Sequence, residues 1–276
     1  MPLDSRGTVL FDHVFAVLLI AGLPVYAQVF YQWLARRSGR GIPDARVGVY
    51  RIGSTVQWLL VAVVLVRWWS ADRGWEELGL GQPAATSAWY SILILFLAAA
   101  SAVRIWNQIS VDADARRTIY EQLAELDALL PRTRRERNWA WLVSITAGVC
   151  EEILFRGFLF WWLSGFVDEY LAMGLVALSF GACHAYQGWK GIVKTTLVGV
   201  VLGALVLATD ALWLAIALHA FIDLNSLSLA HALLAEEEGD VDFAELFEQA
   251  PLPTEGELED EGWGEIDGSS EPRIPL

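Results

Sequence analysis

Apolar runs long enough to cross a bilayer recur along this chain, and they leave it very few ways to fold. A hydrocarbon layer of about 30 Å is crossed by roughly 20 residues of helix. Inside that layer every backbone N–H and C=O must find a partner within the protein, which a continuous helix provides. The chain has 276 residues, is 55% hydrophobic and holds 14 tryptophans. A soluble domain of that length would alternate apolar with polar residues far more. The expected fold is therefore all-α, a polytopic membrane helical bundle of about seven to eight transmembrane helices.

Seven spans are predicted, over residues 9–34, 48–69, 88–109, 138–166, 170–186, 191–208 and 211–234. Pro24 is a point at which the first could divide, which would give an eighth element. The amino-terminal apolar run carries Asp12 and His13, lacks a clear basic start and continues up to Arg36 and Arg37. It therefore reads as a retained span rather than a signal peptide. Between spans three and four lies a polar stretch, 112–137, in which Ile119, Leu123, Leu126 and Leu130 recur at three- and four-residue intervals. That pattern predicts an amphipathic helix at the membrane surface, ended by Pro131.

Basic residues sort to alternate loops. Arg36, Arg37, Arg40 and Arg46 follow span one. Arg116, Arg117, Arg132, Arg134, Arg135 and Arg137 follow span three, and Lys190 and Lys194 follow span five. The positive-inside rule then predicts a multi-pass protein of the cell membrane with its amino terminus out and its carboxyl terminus cytoplasmic. Trp68, Trp69, Trp89, Trp106, Trp139 and Trp189 fall at span ends, as interfacial anchors do.

The formal charge of −14 belongs to one segment. Fifteen of the 33 acidic residues and one of the 19 basic ones lie in 236–276, leaving eighteen of each sign in the body. This acidic tail, with Pro251, Pro253, Pro272 and Pro275, is expected to be disordered. Solubility is its plainest role, and a contact arm for a basic partner the alternative. Cys150 and Cys183 form no disulfide framework and read as packing residues. No internal repeat, phosphate-binding glycine loop, paired-cysteine metal motif or nucleic-acid surface is present in the sequence.

The chemistry concentrates in the later spans. Glu151, Glu152 and Arg156 sit in Ala-Gly-Val-Cys-Glu-Glu-Ile-Leu-Phe-Arg-Gly, an otherwise apolar run. Each ionised side chain near the bilayer centre costs at least about 2.5 to 3.5 kcal/mol. On a helix Glu152 and Arg156 share a face, while Glu151 is turned about 100° away. Arg156 can reach either glutamate, and Gly157 clears space for a close approach. His219 and Asp223 stack on one face, where Asp223 can orient the imidazole or both can bind a metal. His184 follows Phe180 by four in Ser-Phe-Gly-Ala-Cys-His. An activated water, a second proton carrier and an oxyanion donor suffice to hydrolyse a peptide bond. Glu152 with Arg156 is also readable as a buried structural ion pair, and a lone intramembrane histidine as a bridge between helices. His13 and His231, near span ends, read as interfacial or structural.

These motifs in this order, Glu-Glu-x-x-x-Arg, Phe-x-x-x-His and His-x-x-x-Asp, resemble the CAAX prenyl endopeptidase and bacteriocin-processing (CPBP, Abi-like) family of intramembrane proteases. The segment 129–137 and Trp75-Glu76-Glu77-Leu78-Gly79-Leu80 are also similar to bacterial members. The diagnostic region is 129–225. The resemblance implies a helical bundle with a conical cavity, and a glutamate–histidine mechanism with no obligatory metal or other cofactor. It implies Glu151 as general base with His184 beside it, Glu152 and Arg156 holding the geometry, and His219 with Asp223 stabilising the oxyanion. Eukaryotic members carry asparagine where this chain has Asp223, and an ionised aspartate donates no hydrogen bond. Either Asp223 is protonated, or it only orients His219, or Asn225 serves nearby.

On this reading 1–110 holds the amino-terminal helices, 111–137 the amphipathic segment, 138–235 the catalytic core and 236–276 the tail. The expected function is an intramembrane endopeptidase that hydrolyses a bond near the carboxyl terminus of a protein or peptide, prenylated or not. Its partners are membrane lipid and that substrate. The rivals are a metal-dependent membrane hydrolase with Glu151, Glu152, His184, His219 and Asp223 as ligands, and a non-catalytic scaffold or ligand-binding protein using the tail as its contact arm.

Overall fold

The computed structural model describes residues 6–38, 45–83 and 88–237. Arg40 and the acidic tail from residue 238 onward lie outside the described residues. Within them the chain is helical and contains no strand, as an intramembrane chain that must satisfy its own backbone requires.

The first span is α1 (Arg6–Val17), a π turn (Leu18–Gly22) and α2 (Leu23–Ser38). It remains one apolar crossing over Leu10–Arg37, so Pro24 does not divide it. Pro24 has no N–H to give to the carbonyl four residues back. The ladder slips there to five-residue spacing, with the Leu23 N–H donating to the Leu18 carbonyl. A proline is thereby absorbed without breaking the helix.

Four further helices are long and apolar enough to cross a membrane. They are α3 (Ala45–Ser70), α4 (Ala88–Val111), α9 (Gly188–Thr209) and α10 (Trp213–Glu237). The two other expected spans differ from these for physical reasons. One is α6 (Arg134–Glu152), continuing through a π turn (Ile153–Leu159) into α7 (Phe160–Leu163). It is long enough but carries Glu151, Glu152 and Arg156 at its middle. The other, α8 (Glu169–Cys183), has 15 residues and reaches only about 22 Å. It stops at His184 rather than continuing to residue 186.

The polar stretch departs from a single amphipathic helix. It forms α5 (Ala113–Leu123) and a 3-10 turn (Ala124–Leu129). Three residues of its apolar stripe are covered by protein: Ile119 packs with Leu229 and Leu233, and Leu126 and Leu130 pack with Ala230 and Leu234 of α10. His231 joins this contact through Nδ1 to the Pro131 carbonyl at 3.1 Å. The Tyr50 hydroxyl donates to the Leu129 carbonyl. Helix α6 then begins at Arg134, four residues before the predicted start. Thr133 and Glu136 form a reciprocal capping box there, each side chain accepting from the other's backbone N–H.

Helix α6 occupies the centre, packed between α10 and α3, while α8 packs on α9. Small residues set these distances. A Cβ on Gly148 would lie 2.8 Å from Ala220 of α10, and one on Gly181 would lie 2.9 Å from the Ile192 carbonyl of α9. At one end, the segment that includes Trp75 to Leu80 folds back as a plug. Leu78 is fully buried, Gly79 has φ +76° against Leu212, and the Leu212 N–H donates to the Gly79 carbonyl at 2.8 Å. The Leu78 carbonyl comes within 2.9 Å of where a Gly157 Cβ would stand. The close approach expected at Gly157 is thus made by a loop.

Candidate active site

Glu151 and Glu152 are the last residues of α6, and the π turn that follows carries Arg156. Single π turns inside α-helices accommodate an extra residue in the helical wall and are frequent at functional sites. Here the turn sits where Phe155 and Arg156 meet Phe180 of α8.

Glu152 is fully buried and Arg156 is 1% exposed. Arg156 Nη1 donates to Glu152 Oε1 at 2.8 Å, and Nη2 donates to the Gly199 carbonyl at 3.3 Å. Its guanidinium lies 4.3 Å from the centre of the Phe180 ring, a cation–π contact in a dry setting. Gly199 makes room for this, since a Cβ there would stand 3.1 Å from Nη2. Of the two glutamates open to Arg156, it takes Glu152. A buried pair of this kind persists only where further hydrogen bonds satisfy both partners.

The further bond comes from α10. His219 Nδ1 lies 2.8 Å from the same Glu152 Oε1. A carboxylate accepts, so Nδ1 carries the proton and Nε2 is turned to the other side. There it faces Asp223 Oδ2 at 3.7 Å and Glu151 Oε2 at 3.9 Å, both beyond hydrogen-bond distance. The imidazole is therefore oriented by Glu152 of a neighbouring helix. Asp223, whose side chain is 37% exposed, lies on the open side of the cluster and does not provide that orientation. Asn225 faces elsewhere: its Oδ1 accepts from Trp106 Nε1 of α4 at 2.8 Å.

Phe180 joins the parts of the cluster. Its ring meets His219 edge-on at 5.8 Å and His184 at 4.8 Å, and its carbonyl lies 2.9 Å from His184 Nδ1. This last bond places His184 at the carboxyl cap of α8, where a side chain can serve an otherwise unused helix carbonyl. It also assigns the proton to Nδ1 and leaves Nε2 as an acceptor in the neutral ring. The direct hydrogen bond of His184 runs to Phe180 and not to Glu151.

Glu151 differs from Glu152 in every respect that matters for chemistry. Its side chain is 17% exposed, no arginine holds it, and it accepts from Gln57 Nε2 of α3 at 2.8 Å. Gln57 is absent from the sequence-based set. Its signal was a lone amide on the otherwise apolar inner stripe of Tyr50, Val61, Val64 and Trp68. The remaining candidates fall outside the cluster. Cys150 and Cys183 are free and buried. His13 Nδ1 accepts from Trp162 Nε1 at 2.9 Å. Among the described residues, no three His, Cys, Asp or Glu side chains are grouped to hold a metal ion. A cavity of about 600 Å³ opens between α3 and α6, lined by Arg51, Ser54, Thr55 and Trp58 with Trp139 and Thr146. Its lining does not include the carboxylate–histidine cluster itself.

A helical bundle with apolar spans around buried Glu152, Arg156 and His219 defines a multi-pass membrane protein with an ionisable centre. Residues 135–225 match the family described as Type II CAAX prenyl endopeptidase Rce1-like. This match agrees with the order of the motifs in the sequence. The matched segment contains Glu151, Glu152, Arg156, His184, His219 and Asp223, and ends short of the tail. No curated protein and no solved structure matches the chain.

Proposed function

We propose that this protein is an intramembrane endopeptidase that hydrolyses a peptide bond near the carboxyl terminus of a lipid-bearing or membrane-associated protein or peptide. The observation that carries this reading is the division of labour between adjacent glutamates. Glu152 is spent on Arg156 and His219, whereas Glu151 is partly open and faces the same imidazole.

In this mechanism Glu151 takes a proton from water, and the oxygen so activated attacks the scissile carbonyl carbon. His184, with Nε2 left as an acceptor by its bond to the Phe180 carbonyl, serves in this reading as a second proton acceptor. His219, fixed through Nδ1 by Glu152, donates from Nε2 in its imidazolium form to the developing oxyanion. The C–N bond then breaks as the proton held by Glu151 passes to the leaving amine. Asp223 acts on the Nε2 side of His219 by charge and needs no hydrogen-bond donation of its own. The chemistry is carried by these side chains with water as the only co-reactant.

The same reading places the amino terminus outside the cell membrane and the basic loops on the cytoplasmic side. The acidic tail would lie there too, as a solubilising segment or an arm for a basic partner. The test is a survey of protein termini in cells making wild type or Glu151→Gln at equal membrane abundance. New termini seen only with wild type would support a protease and reveal its substrate. Identical termini in both would overturn the reading and leave a scaffold or ligand-binding protein.

A further inference from the structure

Glu151 is held from outside the family-matched segment, by Gln57 of α3. The bond is made through the amide nitrogen, since turning the amide over would set its oxygen against a carboxylate oxygen. That leaves Gln57 Oε1, which is fully shielded from solvent and accepts no hydrogen bond from any described residue. A buried amide oxygen left unpaired is costly and calls for a partner. The surroundings are polar on the same side. Ser54 Oγ, one turn earlier on α3, is likewise buried without a partner, as is Glu152 Oε2 across the cluster. Ser54 also lines the cavity between α3 and α6, so that cavity reaches to within one helical turn of Gln57.

From these contacts, and resting on Glu151 as the general base, we infer that Gln57 is a further catalytic residue, holding the attacking water through Oε1 while its N–H fixes Glu151. Water has two O–H bonds. One donates to the Glu151 carboxylate and the other to Gln57 Oε1, which turns an oxygen lone pair away from both, toward the scissile carbonyl. In the step itself the proton of the first O–H passes to Glu151 and a bond forms from oxygen to the carbonyl carbon. The second O–H remains intact and bonded to Gln57. Collapse breaks the C–N bond, and Glu151 returns its proton to the leaving amine, so Gln57 ends each cycle unchanged. A glutamine suits this place because it offers a donor and an acceptor side by side and stays neutral in the bilayer.

The test uses the full chain in detergent micelles and an internally quenched peptide ending in a farnesylated CAAX sequence. Gln57→Met keeps the size and removes both polar atoms, and Gln57→Asn keeps the amide but withdraws it by one methylene. Both are read beside Glu151→Gln. The expected result is that Glu151→Gln lowers kcat by about 10³-fold, that Gln57→Met lowers kcat by about 10²-fold with KM within about twofold, and that Gln57→Asn falls between Gln57→Met and wild type. Combining Gln57→Met with Glu151→Gln should cause no further loss. If Gln57→Met fails to fold, Gln57→Asn decides alone through the same split of kcat from KM. Wild-type kcat in the folded Gln57 variants, or a rise in KM alone, would overturn the inference while leaving Glu151 in its role. Wild-type kcat in Glu151→Gln would instead overturn the reading on which the inference rests.

Discussion

Helices α4 and α6 come from one chain and face opposite demands. In α4 only 11% of the most apolar stretch is buried, and Ile92, Leu93, Phe96, Leu97 and Val103 are exposed along it. In α6 the buried set includes Glu136, Ser144, Thr146 and Glu152 beside Ala140, Ala147, Gly148 and Cys150. The apolar helix is at the rim and the polar one at the centre, which inverts the arrangement of a soluble protein. Lipid accepts α4 as it stands, whereas the glutamates of α6 persist only because arginine, histidine and glutamine reach them from within the bundle.

The contrast breaks most severely if Arg156 is removed. Arg156→Leu leaves the Glu152 carboxylate buried with one partner instead of two. Losing one member of a buried pair costs about 3–5 kcal/mol, so membrane abundance and thermal melting in detergent should both fall sharply. Arg156→Lys should restore little, because an ammonium cannot lie flat on the Phe180 ring and reach both Glu152 and the Gly199 carbonyl. Wild-type abundance for Arg156→Leu would show that α6 tolerates its charges without them being paired.

Glu151→Gln is the second in size and separates function from fold. It should lower turnover by about 10³-fold while melting stays near wild type, since the side chain is partly exposed and an amide can still accept from Gln57. A parallel loss of stability would put both glutamates in the structural class and remove the distinction between them.

What the sequence conveyed about this centre was its local part. Four-residue spacing put Glu152 and Arg156 on one face and set Glu151 apart, because both relations lie within one helix, but it left open which glutamate Arg156 takes. The same spacing suggested Asp223 as the partner that orients His219, and here the contact across helices prevails: Glu152 takes Nδ1 at 2.8 Å while Asp223 stays at 3.7 Å. Gln57 meets Glu151 across 94 positions of sequence, a pairing no periodicity encodes. The slip to π spacing at Ile153–Leu159 also leaves no mark in the order of residue types. Apolar runs revealed five of the seven expected spans as helices long and apolar enough to cross a membrane, whereas α8 ends early, where His184 bonds back to the Phe180 carbonyl. Thr133-x-x-Glu136 was a readable start signal for α6 that the apolar pattern alone placed at Asn138.

Two smaller effects sharpen the comparison along α6. Gly148→Val would drive side-chain atoms into Ala220 of α10, the helix that carries His219 to Glu152. Overpacking of this kind costs about 1–3 kcal/mol, and activity should fall further than the melting shift implies, because the strain acts on the His219 contact. At the helix start, Thr133→Ala removes the acceptor for the Glu136 N–H and should cost about 1 kcal/mol with turnover unchanged. A loss of activity equal to that of Gly148→Val would mean that the cap governs the site as strongly as the packing does.

The smallest expected effect tests the other side of the comparison. Phe96 on α4 is 67% exposed, on a face that the membrane-spanning reading assigns to lipid. Phe96→Ala exchanges an aromatic ring for hydrocarbon chains of similar polarity and leaves no enclosed cavity, so the penalties known for core truncations do not apply. Its melting in lipid nanodiscs should stay within about 0.5 kcal/mol of wild type, with turnover unaltered. In nanodiscs the ring has acyl chains as its only alternative contact, which makes them a cleaner medium for this than detergent. A large destabilisation there would mean that the exposed face of α4 is covered by protein in the membrane, by a second copy or a partner. The rim of this bundle would then be an interface, and exposure on α4 would cease to mark lipid.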